Sequence, residues 1–225
     1  DVPTASALGV GALALFAVLF TGGVDWLIGR WLKLGLSARE YLRLAFIANG
    51  MANTLNLSGA MGASVRLMGL SSHKVPLSRA AALIGMQALS LMSGLSLLVI
   101  VTLATSSLPM SSGTPQHWIA AIVLTLSALY LPLYFVLTTR RALMRWLPAD
   151  VGVPPLQLKI QLTLISFVDW VLAAATLYAC IYLSGEHVKP GLLLGAFAGA
   201  GVLGLVSQVP GGLGVFDGLI LLALT

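Results

Sequence analysis

Four ionisable side chains sit inside long apolar stretches: Asp25, Arg66, Asp169 and Asp217. A charged group at the bilayer centre costs about 2.5–3.5 kcal/mol on insertion scales, so each needs a partner or water. Asp217 closes the run Ser207-Gln208-Val209-Pro210-Gly211-Gly212-Leu213-Gly214-Val215-Phe216-Asp217, inside an apolar segment from about Pro190 to Thr225. Proline removes a backbone donor and glycine loosens a helix, which predicts a break through Pro210-Gly211-Gly212. In lipid, irregular backbone survives only where protein buries it or where it lines a wet cavity. An acid beside a broken membrane helix therefore marks a site.

Other chemistries find no support in residue type and spacing. His73, His117 and His187 fall in predicted connections with no ligand spacing between them, so no metal is expected. There is no Gly-Lys-Ser/Thr phosphate loop, hence no ATP hydrolysis, and no cofactor is implied. No Ser/His/Asp set is placed for nucleophilic catalysis.

The elements that must hold the four charges are membrane helices. The 225 residues are 58% hydrophobic and 8% charged, with mean hydropathy +0.99; a soluble domain carries about 25% charged residues. No alternating ten-residue strands of a membrane barrel are present, so the class is an all-α polytopic transmembrane bundle in one domain, residues 1–225. The net charge of +5 sits at segment ends, which suits anionic lipid and not nucleic acid. Trp31, Trp118 and Trp146 read as interfacial anchors. Cys180 is expected as a small packed residue in mid-helix. The chain lacks an initiator Met and stops inside an apolar segment, so it reads as a piece of a longer protein.

Segment one runs from about Ala5 to Trp31, with Asp25 in its last third, near enough to a membrane end to snorkel to the interface. Segment two, Ser37 to Leu70, opens on Ser37-Ala38-Arg39-Glu40, the pattern of a capping box. It carries Asn49, Asn53 and Asn56, spaced four and three apart and so on one helix face. Those amides would either line a cavity or hydrogen-bond between helices. Ser58-Gly59-Ala60-Met61-Gly62 is predicted to break the helix before Arg66. Segments three (about Leu77 to Ala104) and four (about Trp118 to Thr138) are plain spans. Segment five, about Leu158 to Leu183, holds Asp169, and segment six holds the opening run.

Basic residues cluster in the one-two, two-three and four-five connections. If segment two crossed once, its two basic flanks would face opposite sides, against the positive-inside rule. A re-entrant hairpin puts both on one side, with Gly59 and Gly62 at a tightly packed tip. Val24-Asp25-Trp26 recurs as Val168-Asp169-Trp170, and a slide of 152 matches Gly59 with Gly211 and Gly62 with Gly214. The expectation is an inverted repeat, about 5–70 and about 158–225, with two re-entrant hairpins meeting near the midplane. Arg66 and Asp217 would then approach each other, with Asp25 and Asp169 on neighbouring helices.

Phe46-Ile47-Ala48-Asn49 through Gly62-Ala63-Ser64-Val65-Arg66, Val168-Asp169-Trp170 with Ala173-Ala174, and Leu205-Val206-Ser207 through Pro210-Gly211-Gly212-Leu213-Gly214-Val215-Phe216-Asp217 carry a family likeness. They resemble the membrane domain of bacterial lysyl-phosphatidylglycerol synthase/flippase, the multiple peptide resistance factor. The Pro-Gly-Gly-x-Gly-x-Phe-acid motif is shared with stand-alone proteins of the wider superfamily. The resemblance implies a flippase domain joined to a C-terminal synthase domain that moves an amino acid from aminoacyl-tRNA onto phosphatidylglycerol. It implies aminoacylated and anionic phospholipids as partners and leaves homo-oligomerisation open. It also implies that the flippase charges are Asp25, Arg66, Asp169 and Asp217. Some relatives have Glu where this chain has Asp169.

On that reading Arg66 would clamp the lipid phosphate through its fork of donors, and Asp169 and Asp217 would receive the amino cations. The plainer reading is that Arg66 pairs with one acid and only holds helices together. Two other classes remain: a stand-alone transporter of another lipid or amphiphile, and an intramembrane enzyme using the acids as general acid and base.

Overall fold

The computed structural model describes residues 4–55, 58–105, 115–141, 144–207, 214, 218, 220 and 221; for 5, 53–55, 58–60, 115–121 and 205–207 it describes the backbone alone. The described residues are helical, with no strand among them. The order is α1 (Thr4–Phe20), α2 (Gly22–Trp31), α3 (Ala38–Leu55), α4 (Ser58–Ser72), α5 (Leu77–Ala104), α6 (Pro115–Leu137), α7 (Leu156–Leu183) and α8 (Pro190–Ser207). Three spans are long and apolar enough to cross a membrane: Ser6–Trp31, Leu77–Ala104 and Leu156–Leu183. This is an all-helical membrane protein.

The predicted cap forms. Glu40 Oε2 accepts from the Ser37 backbone N–H at 2.6 Å, and the Glu40 N–H donates to Ser37 Oγ at 3.3 Å. The Ser37 backbone bond holds the Glu40 carboxyl below its ordinary value of 4.5. The other oxygen of Glu40 meets His73 Nε2 at 3.4 Å, which ties the start of α3 to the end of α4. Leu44 faces Gly69, and Asn49 faces Arg66. Segment two is thus an antiparallel pair of helices that opens and closes at the same end of the bundle.

Three local expectations change. The second helix starts at Ser58, so Gly59 and Gly62 lie inside α4 and do not break it. An interior glycine costs a helix only about 1 kcal/mol. At Gly62 the missing side chain has a use, since a Cβ there would stand 3.1 Å from Arg66 Nη1. Residue 117 likewise falls within α6 and not in a connection. Cys180 is exposed on α7 and is not packed.

α5 is the central element: half of its apolar window is buried, and it packs against α2, α4, α6, α7 and α8. One core joins α2, α4, α5 and the start of α7 around Ile28, Leu83, Met86 and Leu162. A second joins α5, α6, α7 and α8 around Leu98, Ala174, Phe197 and Ala198. Pro132 inside α6 leaves the Ala128 carbonyl without its helical donor. Ser96 of α5 supplies one, donating to Ser127 and Ala128 carbonyls at 2.6 and 3.1 Å while accepting from the Leu131 N–H at 3.0 Å.

One end of the bundle gathers the ends of α2, α4 and α6 and the starts of α3, α5 and α7. Arg79 donates to the Leu32 carbonyl at 3.0 Å and pairs with Asp150, and Lys159 reaches the Phe135 carbonyl at 3.4 Å. Of the chain's twelve Lys and Arg, all but Arg66 and Lys189 lie at this basic end.

The tightest crossing is between α5 and α7. A Cβ at Gly94 would come within 2.5 Å of Ser166 backbone and side chain, whereas one at Gly9 would meet nothing within 4 Å. Gly94→Ala is expected to destabilise the fold by about 1–3 kcal/mol through overpacking. Gly9→Ala, in the interior of α1 with open space around it, should instead stabilise by up to about 1 kcal/mol. Denaturant unfolding in detergent micelles compares the two.

Candidate functional site

Thr21 sits between α1 and α2, and its hydroxyl donates to the Val18 carbonyl at 2.7 Å. One turn further, Asp25 lies on the same face of α2. α3 brings up Asn49 and α4 brings up Arg66. Arg66 Nε donates to Asp25 Oδ2 at 2.8 Å, and its Nη2 donates to Asn49 Oδ1 at 2.9 Å. Nη1 makes only a long contact, 3.4 Å, to the Gly62 carbonyl. Asn49 passes the chain on, its Nδ2 donating to Thr21 Oγ1 at 2.8 Å. Four residues from three separate stretches thus form one polar network.

This network is enclosed: Asp25 is 1% exposed and Arg66 3%. Asp25 therefore does not snorkel. α3 lies close over α2, because Gly22 and Gly29 present no Cβ to Leu42 and Tyr41, and that cover keeps water from the carboxylate. Arg66 takes Asp25 as its partner; its expected approach to Asp217 falls outside the described residues. Asp217 lies outside the described residues, as do Pro210, Gly211, Gly212 and Asn56 and the side chain of Asn53. Gly214 is described. Its φ of +78° is a left-handed value that glycine adopts without strain, and a helical bond from the Gly218 N–H to its carbonyl follows.

Asp169 is placed differently. It lies near the centre of α7, thirteen residues from Leu156 and fourteen from Leu183. It is half-buried, and among the described residues it has no hydrogen bond or ion pair. Its neighbour Trp170 is anchored, with Nε1 donating to the Leu91 carbonyl at 3.0 Å.

Thr21 was not singled out from sequence. Its signal is local: a hydroxyl four residues before an acid, inside an apolar helix. Tyr41 carried no signal at all. Its ring is buried against Gly29, and its hydroxyl, like Asp25 Oδ1, is enclosed without a partner among the described residues.

Fold and site together define a helical membrane domain with, among the described residues, a buried Asp25–Arg66 ion pair and a mid-span carboxylate, Asp169, that has no partner. The chain is 30% identical over 217 residues to phosphatidylglycerol lysyltransferase of Staphylococcus aureus strain MRSA252, covering 91% of this chain and 24% of that protein. The Staphylococcus xylosus protein of the same name is 27% identical over 223 residues, covering 93% and 25%. The chain thus belongs with the multiple peptide resistance factor family and spans about a quarter of the length of the curated relatives it matches. No family model and no solved structure matches it.

Removing one member of a buried pair strands the other. Arg66→Met is expected to cost about 3–5 kcal/mol, while adding Asp25→Asn to it should recover most of that loss. A double-mutant cycle by denaturant unfolding in micelles measures the coupling. Additive single effects would show that the pair contributes nothing.

Proposed function

We propose that this chain moves aminoacylated phosphatidylglycerol, such as lysyl-phosphatidylglycerol, from the inner to the outer leaflet of a bacterial cytoplasmic membrane. The match of nine-tenths of the chain to a quarter of proteins named phosphatidylglycerol lysyltransferase carries the reading. In the whole protein the transfer of the amino acid from aminoacyl-tRNA falls to the remaining part. A lipid modified on the cytoplasmic side changes the outer surface only after it has crossed. Outer-leaflet amines then lower the negative surface charge, which gives resistance to cationic antimicrobial peptides.

The basic end supports a cytoplasmic placement of the α2, α4 and α6 ends. α4, with 15 residues, is about 22 Å long, short of a hydrocarbon core of about 30 Å. That favours a re-entrant hairpin for α3 and α4 over two full crossings. A shift of 152 residues carries Trp31 to Leu183 and Ala38 to Pro190, each a helix boundary. The start of α1 lies beside the end of α7, around Ser6, Gly9, Tyr178 and Leu183, so those two run in opposite directions. These relations favour an inverted repeat, with α8 opening the second hairpin.

The headgroup carries one phosphate and two amino cations. Asp169, without a partner among the described residues, is the receptor for an ammonium, and Asp217 is assigned the second. Arg66 Nη1, with one long contact among the described residues, is the donor to reach the phosphate. Asp25 keeps Arg66 in place and takes no part in binding the cations.

In cells making the whole protein, Asp169→Asn and Arg66→Ala should leave the total aminoacyl lipid unchanged and abolish its labelling by an impermeant amine reagent. Asp169→Asn removes charge without stranding a partner, so it separates transport from folding. Outer-leaflet labelling equal to wild type in both variants would sink the assignment.

A further inference from the structure

We infer that translocation exchanges protons for the cationic headgroup at Asp169, along a buried polar seam that links this carboxylate to the basic end. The inference deepens the function proposed above and rests on it. The buried polar side chains fall into separate groups. Thr21, Asp25 and Arg66 belong to the ion-pair network, whereas Ser90 and Ser93 of α5 and Lys159, Thr163 and Ser166 of α7 serve no part of the site described so far.

On α7, Lys159, Thr163, Ser166 and Asp169 follow at intervals of four, three and three, which keeps them on one side of the helix. Lys159 stands at the basic end, 3% exposed, with Nζ 3.4 Å from the Phe135 carbonyl and from Thr139 Oγ1. Thr163 Oγ1 meets Ser93 Oγ of α5 at 3.0 Å. Ser166 Oγ, one turn from Asp169, is enclosed and has no hydrogen-bond partner among the described residues. Across the seam, Tyr134 Oη of α6 is enclosed too, beside Ser90.

Apolar side chains would pack these spans together at no polar cost. An enclosed hydroxyl without a partner costs about 1–3 kcal/mol, so Ser166 needs another reason to be there. Ser90 and Ser93 donate to the Met86 and Ser90 carbonyls at 2.7 Å, which leaves their oxygens as acceptors, Ser90 for the Tyr134 hydroxyl beside it. Ser166 keeps an uncommitted donor. An uncommitted donor beside acceptors suits water, which takes two to four polar partners, and water with hydroxyls passes protons by exchanging hydrogen bonds.

Among the described residues, the helices packed around α7 offer Asp169 no competitor for such protons. α1 and α8 carry no titratable side chain, and α5 carries only Arg79 in its first turn. On α2, Asp25 is held by Arg66, and Arg30 lies over the Trp26 ring. Lys159 is on α7 itself, at the mouth of the seam.

The exchange balances. Facing the cytoplasm, protonated Asp169 releases its proton into the seam as the carboxylate takes the lipid ammonium. Facing outward, the ammonium leaves and the carboxylate takes a proton from the outer side. One proton enters for each cation exported, and the site stays neutral throughout.

The test uses the chain in vesicles containing lysyl-phosphatidylglycerol and a lumenal pH dye, with amine labelling to follow the lipid. An imposed proton gradient directed toward the basic-end side should accelerate crossing in wild type, and crossing should shift the dye. Thr163→Val with Ser166→Ala should lose the gradient response and retain crossing without a gradient; Ser166→Ala alone serves if the pair fails to fold. Lipid crossing with no gradient response and no dye shift in wild type would overturn the coupling and leave the transport reading standing. A seam variant with wild-type proton movement would overturn the route. No lipid crossing at all would overturn the proposed function, and the coupling with it.

Discussion

Everything in the first half of this chain answers one constraint: an arginine kept from water in a membrane domain must be neutralised where it stands. Arg66 is 3% exposed, and desolvation of an ion that deep costs several kcal/mol before any pairing. Asp25 supplies the countercharge and Asn49 a second acceptor. That need fixes where α3 and α4 lie against α2, and it explains the glycines there. Gly22 and Gly29 let α3 approach until Leu42 and Tyr41 touch the α2 backbone, and Gly62 clears space for the guanidinium. In lipid, small residues and interhelical polar bonds replace the hydrophobic effect as the source of helix association. Here both operate within a few turns.

The same constraint is left unanswered in the second half. Under the shift of 152 residues that aligns the helix boundaries, Thr21, Asp25, Asn49 and Arg66 correspond to Ala173, Leu177, Gly201 and Gly218. None of these bears a polar side chain. If the halves are a repeat, only one of them kept the lock. A paired and enclosed charge is a poor receptor, because any ligand must first displace the partner. A carboxylate without a counterion gains directly from a cation. The asymmetry therefore separates a paired aspartate from one without a partner among the described residues, although both stand in a Val-Asp-Trp triplet.

Composition and capping rules made the broad fold legible. The long spans, the Ser37–Glu40 cap and the two basic flanks of segment two follow from hydropathy, from N-terminal donor chemistry and from charge placement, and the structure shows each. The break expected over Ser58 to Gly62 is not there, since those residues are helical in α4. Gly59 and Gly62 read as helix breakers by propensity, but packing overrode a cost of about 1 kcal/mol apiece. The partner of Arg66 was not legible. Spacing shows that an arginine and three acids share an apolar chain, and it says nothing about which helix faces which. Asp25 seemed free to reach the interface because its position along the helix is visible in sequence and the cover of α3 over it is not.

The Val-Asp-Trp triplets show how depth separates two like residues. They recur 144 residues apart, whereas the helix ends recur at 152. Asp25 accordingly lies six residues before the end of its span and Asp169 fourteen before the end of its own. Eight residues of helix amount to about 12 Å along the axis. That carries Asp169 from the region where a charge can borrow interfacial water toward the midplane, where it cannot. A carboxylate at that depth persists only by binding a cation or a proton, and an exchange site needs those two states. The displacement of one acid by two helical turns thus turns a position that stabilises the fold in one half into one suited to transport in the other.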